Sequence, residues 1–255
     1  MLLENNYSLA AKWISEANHA VIFSGAGVSV ESGIPPFRGE NGLWSKYNPV
    51  FLDTNYFRAH PKKSWIRIKE IFYDFFGEAD PNKAHYVISE FEKNGLIKAV
   101  ITQNIDNLHQ EAGSKNVVEF HGTAQTLTCI HCKKKFESDQ CLNELPPLCP
   151  SCNGLLKPDF VFFGEPIPKK AHNSSINNAL SSDLFILVGT TGEIMPASTI
   201  PYFAKDKGAK FIEINVQPSK YTHTIVDLFL RGNATYVFSK LKEELEKNRW
   251  VFSKV

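Results

Sequence analysis

The chain is short of every signal that would take it into a bilayer or onto a polyanion. No apolar run among its 255 residues approaches the roughly 18 that a membrane span requires, and each long hydrophobic stretch is broken by charge or proline. A membrane partner is therefore not expected. Lysine plus arginine (28) and aspartate plus glutamate (27) nearly cancel, for a net charge of +1, so no overall positive field draws nucleic acid. The one dense basic cluster, Lys133-Lys134-Lys135, adjoins Cys132 and reads as a solvated knuckle. The opening Met1-Leu2-Leu3-Glu4-Asn5-Asn6 has neither the basic nor the apolar region of a secretory leader, which predicts a reducing, cytoplasmic setting. Internal repeats and low-complexity tracts are also missing. Cysteine is scarce, with five in all.

What is present suffices for a folded core. At 43% hydrophobic and 22% charged residues, the composition excludes disorder and fits one large α/β domain, with or without an insertion. The few cysteines are arranged tellingly. Cys129 and Cys132 are followed, after sixteen intervening residues, by Cys149 and Cys152, a CxxC…CxxC spacing that suits tetrahedral thiolate ligation of zinc. Two disulfides, or unrelated buried thiols, are the alternatives; a reducing compartment favours the metal. With all four positions taken the zinc is structural, and Cys141 is a bystander.

Short apolar runs alternate with helical periodicity, the pattern of a parallel sheet covered by helices. Leu9, Ala10, Trp13 and Ile14 form a helix stripe, and Ala20 to Phe23 reads as a buried strand entering a glycine turn. Ala84, Val87, Ile88 and Phe91 repeat at helical spacing, with Gly95 as a stop. Further strands are expected at Ile97 to Ile101, Val117 to Phe120, Leu184 to Val188, Phe211 to Ile214 and Thr235 to Phe238. Several run straight into polar or glycine residues. In an open α/β sheet the ligand crevice lies at those carboxyl ends.

The glycine turn is weak evidence by itself. Gly25-Ala26-Gly27 matches the first two glycines of a dinucleotide fingerprint, but the third position is Val30. Glycines here would let backbone amides approach a pyrophosphate at a helix N-terminus, with the Ser29 hydroxyl adding a donor. A tight turn with no ligand is the plain alternative.

The loop continues through Glu31-Ser32-Gly33-Ile34-Pro35-Pro36-Phe37-Arg38. It is followed in order by Thr102-Gln103-Asn104-Ile105-Asp106-Asn107-Leu108-His109, Glu119-Phe120-His121-Gly122, the four cysteines, Lys157-Pro158-Asp159 through Glu165, Gly189-Thr190-Thr191 and Glu213-Ile214-Asn215. These blocks, spread over nearly the whole chain, resemble the sirtuin family of NAD-dependent protein lysine deacylases. In that family the acyl oxygen attacks C1′ of the nicotinamide ribose and nicotinamide leaves. The resemblance implies that His121 is the general base, a role an imidazole suits near neutral pH, with Asn104 and Asp106 as its catalytic companions at the nicotinamide end. It places Gly25, Ala26, Gly27, Ser29, Phe37, Arg38, Gln103, Asn104, Ile105, Asp106, His121, Gly189, Thr190, Thr191, Asn215 and Ala234 around the cofactor. An Asx turn is the structural alternative for Asn104 and Asp106, and both roles can coexist.

Val161, Phe162, Phe163, Gly164 and Glu165 resemble a strand that pairs with an extended acyl-lysine peptide, and Gly192 to Pro196 its facing strand. Such backbone pairing carries little side-chain selectivity, which leaves the substrate protein open. Two departures stand out: Pro36 where an acidic residue is usual, and Thr191 for a serine, which keeps the hydroxyl. The stretch Lys62 to Lys69 lacks the Tyr-x-x-Arg pair of sirtuins that prefer acidic acyl groups. Trp65 and Ile68 are expected to wall an apolar acyl channel, with Arg67 and Lys69 as its solvated face.

The expected architecture is a doubly wound, Rossmann-like parallel sheet in a single sirtuin-type domain spanning 1–255, with a helical insertion and cofactor loop at 40–83 and a zinc module at 125–158. The expected activity is NAD-dependent deacylation, chiefly deacetylation, giving O-acetyl-ADP-ribose. A mono-ADP-ribosyltransferase using the same pocket and a non-enzymatic NAD-sensing zinc module are the rival readings. Short flanking segments fit a minimal, prokaryotic type of enzyme. The oligomeric state stays open.

Overall fold

The computed structural model describes residues 2–38 and 42–248. Its strands are β1 (Ala20–Ser24), β2 (Ala99–Thr102), β3 (Val117–Glu119), β4 (Gly122–Cys129), β5 (Lys135–Glu137), β6 (Leu156–Phe160), β7 (Leu184–Val188), β8 (Lys210–Asn215) and β9 (Leu228–Arg231). Its helices are α1 (Leu2–Glu16), α2 (Leu43–Lys46), α3 (Thr54–Ala59), α4 (Pro61–Lys69), α5 (Lys83–Lys93), α6 (Leu108–Glu111), α7 (Lys169–Ser181), α8 (Ile200–Asp206) and α9 (Ala234–Lys247).

Six strands form a parallel sheet in the order β3-β2-β1-β7-β8-β9. The first three run outward in one direction and the last three in the other, so the order reverses between β1 and β7. Doubly wound sheets open a ligand crevice at that switch point. Every residue of β1, β2 and β7 is buried, as expected for parallel strands covered on both faces. Alternate residues serve the two faces. Ile22, Val100, Ile186 and Ile212 pack under Ala10 and Ile14 of α1, Ile88 and Phe91 of α5, and Phe238 and Leu241 of α9. Phe23, Ile101, Phe185 and Phe211 pack under Ala179 of α7 and Ala204 of α8.

A second, smaller core holds the rest. The three-stranded antiparallel sheet β5-β4-β6 shares one apolar cluster with the helical stretch 43–78, including Phe57, Trp65, Ile68, Phe72, Leu127, Leu156, Phe160 and Phe162. The Trp65 indole N–H donates to the Leu156 carbonyl at 2.9 Å and ties the two segments together. Trp65 and Ile68 are therefore enclosed in this shared core, which corrects their expected place on a channel wall. Arg67 pairs with Glu70, and Lys69 with Asp74, on the solvent side.

Four other expectations change. Thr235 to Phe238 is the first turn of α9, whose buried residues Val237, Phe238, Leu241 and Leu245 recur at helical spacing; a run of four apolar residues cannot distinguish helix from strand. The strand expected from Ile97 starts two residues later, at Ala99. The edge strand β9 was not anticipated, being only four residues long. Finally, the glycine turn enters two single 3₁₀ turns, 26–28 and 30–32, with no α-helix. Gly33, at φ +92°, closes the second in the left-handed region.

Candidate active site at the strand tips

The glycine loop is built into the sheet before it can serve any ligand. The N–H groups of Gly25 and Gly27 donate to Val188 and Gly189 carbonyls at 2.9 Å each. A Cβ on Gly27 would lie 2.5 Å from the Gly189 Cα, and one on Gly189, at φ +58°, 2.5 Å from the Gly27 carbonyl carbon. These glycines thus let the β1 and β7 loops touch backbone to backbone. Their amides are committed, which corrects the expectation that they face a pyrophosphate. The N–H groups of Ala26, Thr190 and Thr191 take no acceptor among the described residues.

Beneath the loop lies a satisfied polar cluster. Ser29, fully buried, donates its hydroxyl to Asp106 Oδ2 at 2.7 Å and so is not free for a phosphate. Asn104 Nδ2 donates to Ser29 Oγ at 3.1 Å, to Asp106 Oδ2 at 3.2 Å and to the Gly25 carbonyl at 3.4 Å. Asp106 Oδ1 accepts the Leu108 N–H at 3.2 Å. Burial pushes the Asp106 carboxyl above the ordinary aspartate range, opposed by the hydrogen bonds from Ser29, Leu108 and Asn104. The Asx-turn role of Asp106 and its place in the cluster coexist.

Asn104, Ile105 and Asp106, with Ala26, Ile34, Phe37 and Phe76, line a cavity of about 10 Å³. Room for about one water is far too little for a pyridine ring. Phe37 closes it by packing against Trp44, Phe72 and Phe76 at centroid distances of 5.4, 6.5 and 6.4 Å. Arg38 is exposed. A wider ligand requires the Phe37 segment to swing out.

His121 follows β3, at the side of the same crevice. Its Nδ1–H donates to the Gln103 carbonyl at 2.9 Å, an assignment that follows from the carbonyl being acceptor only and leaves Nε2 with a free lone pair. Burial lowers the imidazole pKa below the ordinary histidine value, with the Gln103 carbonyl opposing. Phe120 meets the ring edge-on at 5.3 Å. Gly122 has φ +77°, and a Cβ there would strike the Asp159 carbonyl oxygen at 2.1 Å; only glycine permits this crossing of β4 and β6. Gln103 Nε2 donates to Thr190 Oγ1 at 3.0 Å, and Asn215 Nδ2 to the Thr190 carbonyl at 3.0 Å, joining the tips of β2, β7 and β8. Ala234 is buried at the start of α9.

The segment Val161 to Glu165 is less a strand than a hook. Among the described residues only Phe163 pairs: its N–H reaches Leu52 O at 2.9 Å and its carbonyl takes Thr54 N–H at 3.2 Å. Val161 N–H donates to His121 O at 2.8 Å, and Glu165 N–H to Phe162 O at 3.0 Å. The N–H and C=O of Gly164 and the carbonyl of Val161 take no backbone partner among the described residues. Gly192 to Pro196 forms bends and a turn instead of a strand, because Pro196 has no N–H and Ser198 and Thr199 already donate to Ile194 and Pro196 carbonyls at 2.8 and 3.0 Å.

Away from the crevice, the sulfurs of Cys129, Cys132, Cys149 and Cys152 lie within 4.8 Å of one another. The Cys129–Cys152 and Cys132–Cys149 separations are 3.5 and 3.6 Å, close to the ~3.8 Å edge of a tetrahedron with ~2.3 Å Zn–S bonds. Cys129 Sγ also accepts the Cys132 N–H at 3.4 Å. All five cysteines are unbridged, so the disulfide alternative falls, and the donor set fits zinc.

Other residues support the site through partners that no motif announced. Glu31 caps α9 from 204 residues away, accepting Thr235 N–H at 3.0 Å and its hydroxyl at 2.6 Å. Asn82, the N-cap of α5, holds the glycine loop through Nδ2 to Val28 O at 2.7 Å and Ser32 Oγ at 3.0 Å. His109, fully enclosed, reaches Ser24 Oγ at 2.9 Å beside His85. Burial lowers the pKa of both imidazoles, that of His85 to about 4.

A doubly wound sheet with a polar, closable crevice at its switch point defines a nucleotide-binding class, and similarity to known proteins narrows it. A model of the Sir2 family matches residues 25–196. The chain is 44% identical over 241 residues to the NAD-dependent protein deacylase 2 of Pyrobaculum aerophilum, covering 93% of this chain and 95% of that one. It is 45% identical over 248 residues to the NAD-dependent protein deacylase of Pyrococcus furiosus, covering 93% and 97%. A solved Sir2 structure, a histidine-to-alanine variant with deacetylated p53 peptide and 3'-O-acetyl ADP-ribose, superposes with TM-score 0.88 at 34% identity over 94% of this chain and 98% of that one. The chain belongs to the Sir2 family. Among the described residues no helix is long and apolar enough to cross a membrane.

Proposed function

We propose that this protein is an NAD-dependent protein lysine deacylase that acts chiefly on acetyl-lysine in extended peptide segments and yields nicotinamide and O-acetyl-ADP-ribose. The observation that carries the reading is His121: its Nδ1–H is fixed on Gln103 O and burial keeps the imidazole neutral, so Nε2 is ready to take a proton beside the crevice. Relatives carrying this name span the whole fold. NAD, when bound, supplies the electrophilic C1′ and the ribose that receives the acyl group.

The chain's own residues do the rest. His121 Nε2 removes a proton from a ribose hydroxyl. Asn104 and Asp106, held by Ser29, orient the carboxamide end, and the Asp106 carboxylate favours positive charge developing nearby. Phe37 swings out to admit the cofactor and returns to exclude water. Ala26, Thr190 and Thr191 offer N–H donors to phosphate, with Arg38 as counter-charge. Gly189, Asn215 and Ala234 would hold the adenosine side, Gln103 the ribose and Ile105 the nicotinamide end. Val161, Gly164 and their neighbours pair with the peptide backbone. Cys129, Cys132, Cys149 and Cys152 hold a structural zinc. The setting is cytoplasmic.

The reading is tested by incubating purified protein with an acetyl-lysine peptide and NAD. Nicotinamide is expected to appear in a one-to-one ratio with deacetylated peptide. Deacetylation without NAD, or nicotinamide release that does not depend on the peptide, would overturn it.

A further inference from the structure

Lys157 lies on β6 and touches neither the glycine loop nor the tips of the large sheet, yet its ammonium has a full set of partners. Nζ donates to the Pro158 and Phe160 carbonyls at 2.9 Å each and to Glu165 Oε2 at 2.9 Å. An ammonium has three N–H donors, so none is left over. The charge also sits 4.0 Å from the centroid of the Phe162 ring, a cation–π distance. Side-chain exposure is 17% for Lys157 and 26% for Glu165, which keeps the pair largely out of solvent screening.

Glu165 completes the link. The same Oε2 that meets Lys157 accepts the Phe162 N–H at 2.9 Å, while the Glu165 N–H returns to Phe162 O at 3.0 Å. The hook from 161 to 165 is thereby fastened to the end of β6. Its remaining anchors are Val161 N–H on His121 O and Phe163 between Leu52 and Thr54. Without Lys157, Glu165 would be a partly buried carboxylate with one amide partner, drawn toward water and away from Phe162.

We infer that Lys157 is a positioning residue for peptide docking: through Glu165 it fixes the hook Val161–Glu165, and with it the Val161 carbonyl and the Gly164 backbone that pair with the acyl peptide. This rests on the reading of 161–165 as the peptide-docking segment. Burial pushes the Lys157 pKa down, and the hydrogen bond and charge of Glu165 oppose it. Peptide affinity depends on the clamp and NAD affinity does not, because no clamp atom bonds to the loops at Gly25, Gly189 or Asn215 among the described residues.

The test is a double-mutant cycle with K157M, E165Q and the double variant, measuring KM for an acetyl-lysine peptide at saturating NAD and KM for NAD at saturating peptide. Loss of one partner of a shielded, hydrogen-bonded charge pair should raise the peptide KM about tenfold or more, with the NAD KM changed by less than about twofold. The double variant should be no worse than the worse single one, since the two residues act as a unit. Equal rises in both KM values, a fall in kcat at unchanged peptide KM, or strictly additive effects would overturn the proposal. Should K157M fail to fold, E165Q carries the same expectation at almost unchanged volume. Amide exchange at 161–165 should then quicken while the large sheet keeps its protection, and unchanged exchange there would overturn the clamp. That readout needs no turnover, so it stands apart from any failure of the deacylase reading.

Discussion

His121 carries two residue-scale predictions. Burial lowers its pKa from the ordinary histidine value of about 6.5, and the neutral form is the working base. Activity is therefore full above that lowered pKa and falls as pH drops through it, so the acid limb of kcat/KM should lie below about pH 6.5. A limb above pH 7 would assign the base elsewhere. H121A should cost roughly 10²–10⁴-fold in kcat while NAD binding, measured by calorimetry, survives; near wild-type turnover would remove His121 from its role. Its neighbour is the second case. With φ +77° and a Cβ position 2.1 Å from Asp159 O, G122A adds both left-handed strain and a backbone clash, at least about 1–3 kcal/mol. For a protein of this size that means a Tm several degrees lower, with kcat reduced because His121 moves too. An unchanged Tm would show that the β4–β6 crossing relaxes easily. The His121-Gly122 pair was legible in the sequence as a motif, but the physical demand on glycine was not, since Asp159 lies far along the chain. Ser29 shows the opposite failure: a hydroxyl in a glycine loop reads as a phosphate donor, whereas burial commits it to Asp106. Glu31, His109 and Lys157 lie in the motif blocks, but their roles were not legible, because each acts through a fold-dependent partner.

At the scale of elements, the strands that run into polar tips were legible because a buried parallel strand is a short apolar run between turn residues. The failures are equally physical. Thr235 to Phe238 looked like a strand until the next two turns of α9 supplied the helical period, and the Val161–Glu165 hook hides its bend in bonds from Glu165. The four-cysteine module and the helical stretch 43–78, expected as two insertions, share one core that includes Cys129 and Cys149. Loss of the metal should consequently reach the active-site side, since Phe160 and Phe162 belong to the same core. C149S, or chelation, is expected to lower Tm by roughly 10 °C or more, given even ~4 kcal/mol of zinc-dependent folding free energy at about 2–4 °C per kcal/mol. Activity should fall in parallel, and added zinc should restore both in the chelated protein. Full activity in metal-free protein would contradict the assignment.

For the whole molecule, the placement of cations bears on which acyl group is accepted. The stretch 62–69 lacks a Tyr-x-x-Arg pair, and its Lys69 is paired with Asp74 on the surface. Arg67 is likewise paired, with Glu70, on the surface. A succinyl carboxylate would be desolvated without a charged partner at a cost of several kcal/mol. On one peptide carrying each modification, kcat/KM should favour acetyl over succinyl by about 10²-fold or more; a higher value for succinyl would mean that a cation enters the site. The central claim, acyl transfer from lysine to NAD-derived ADP-ribose by this fold, is tested most directly by mass spectrometry of the complete reaction with an acetyl-lysine peptide and NAD. The account predicts free nicotinamide, deacetylated peptide and an ADP-ribose heavier by one acetyl group, the last two formed roughly 10²–10⁴-fold more slowly with H121A. ADP-ribose attached to protein or peptide, with the acetyl-lysine left intact, would contradict it.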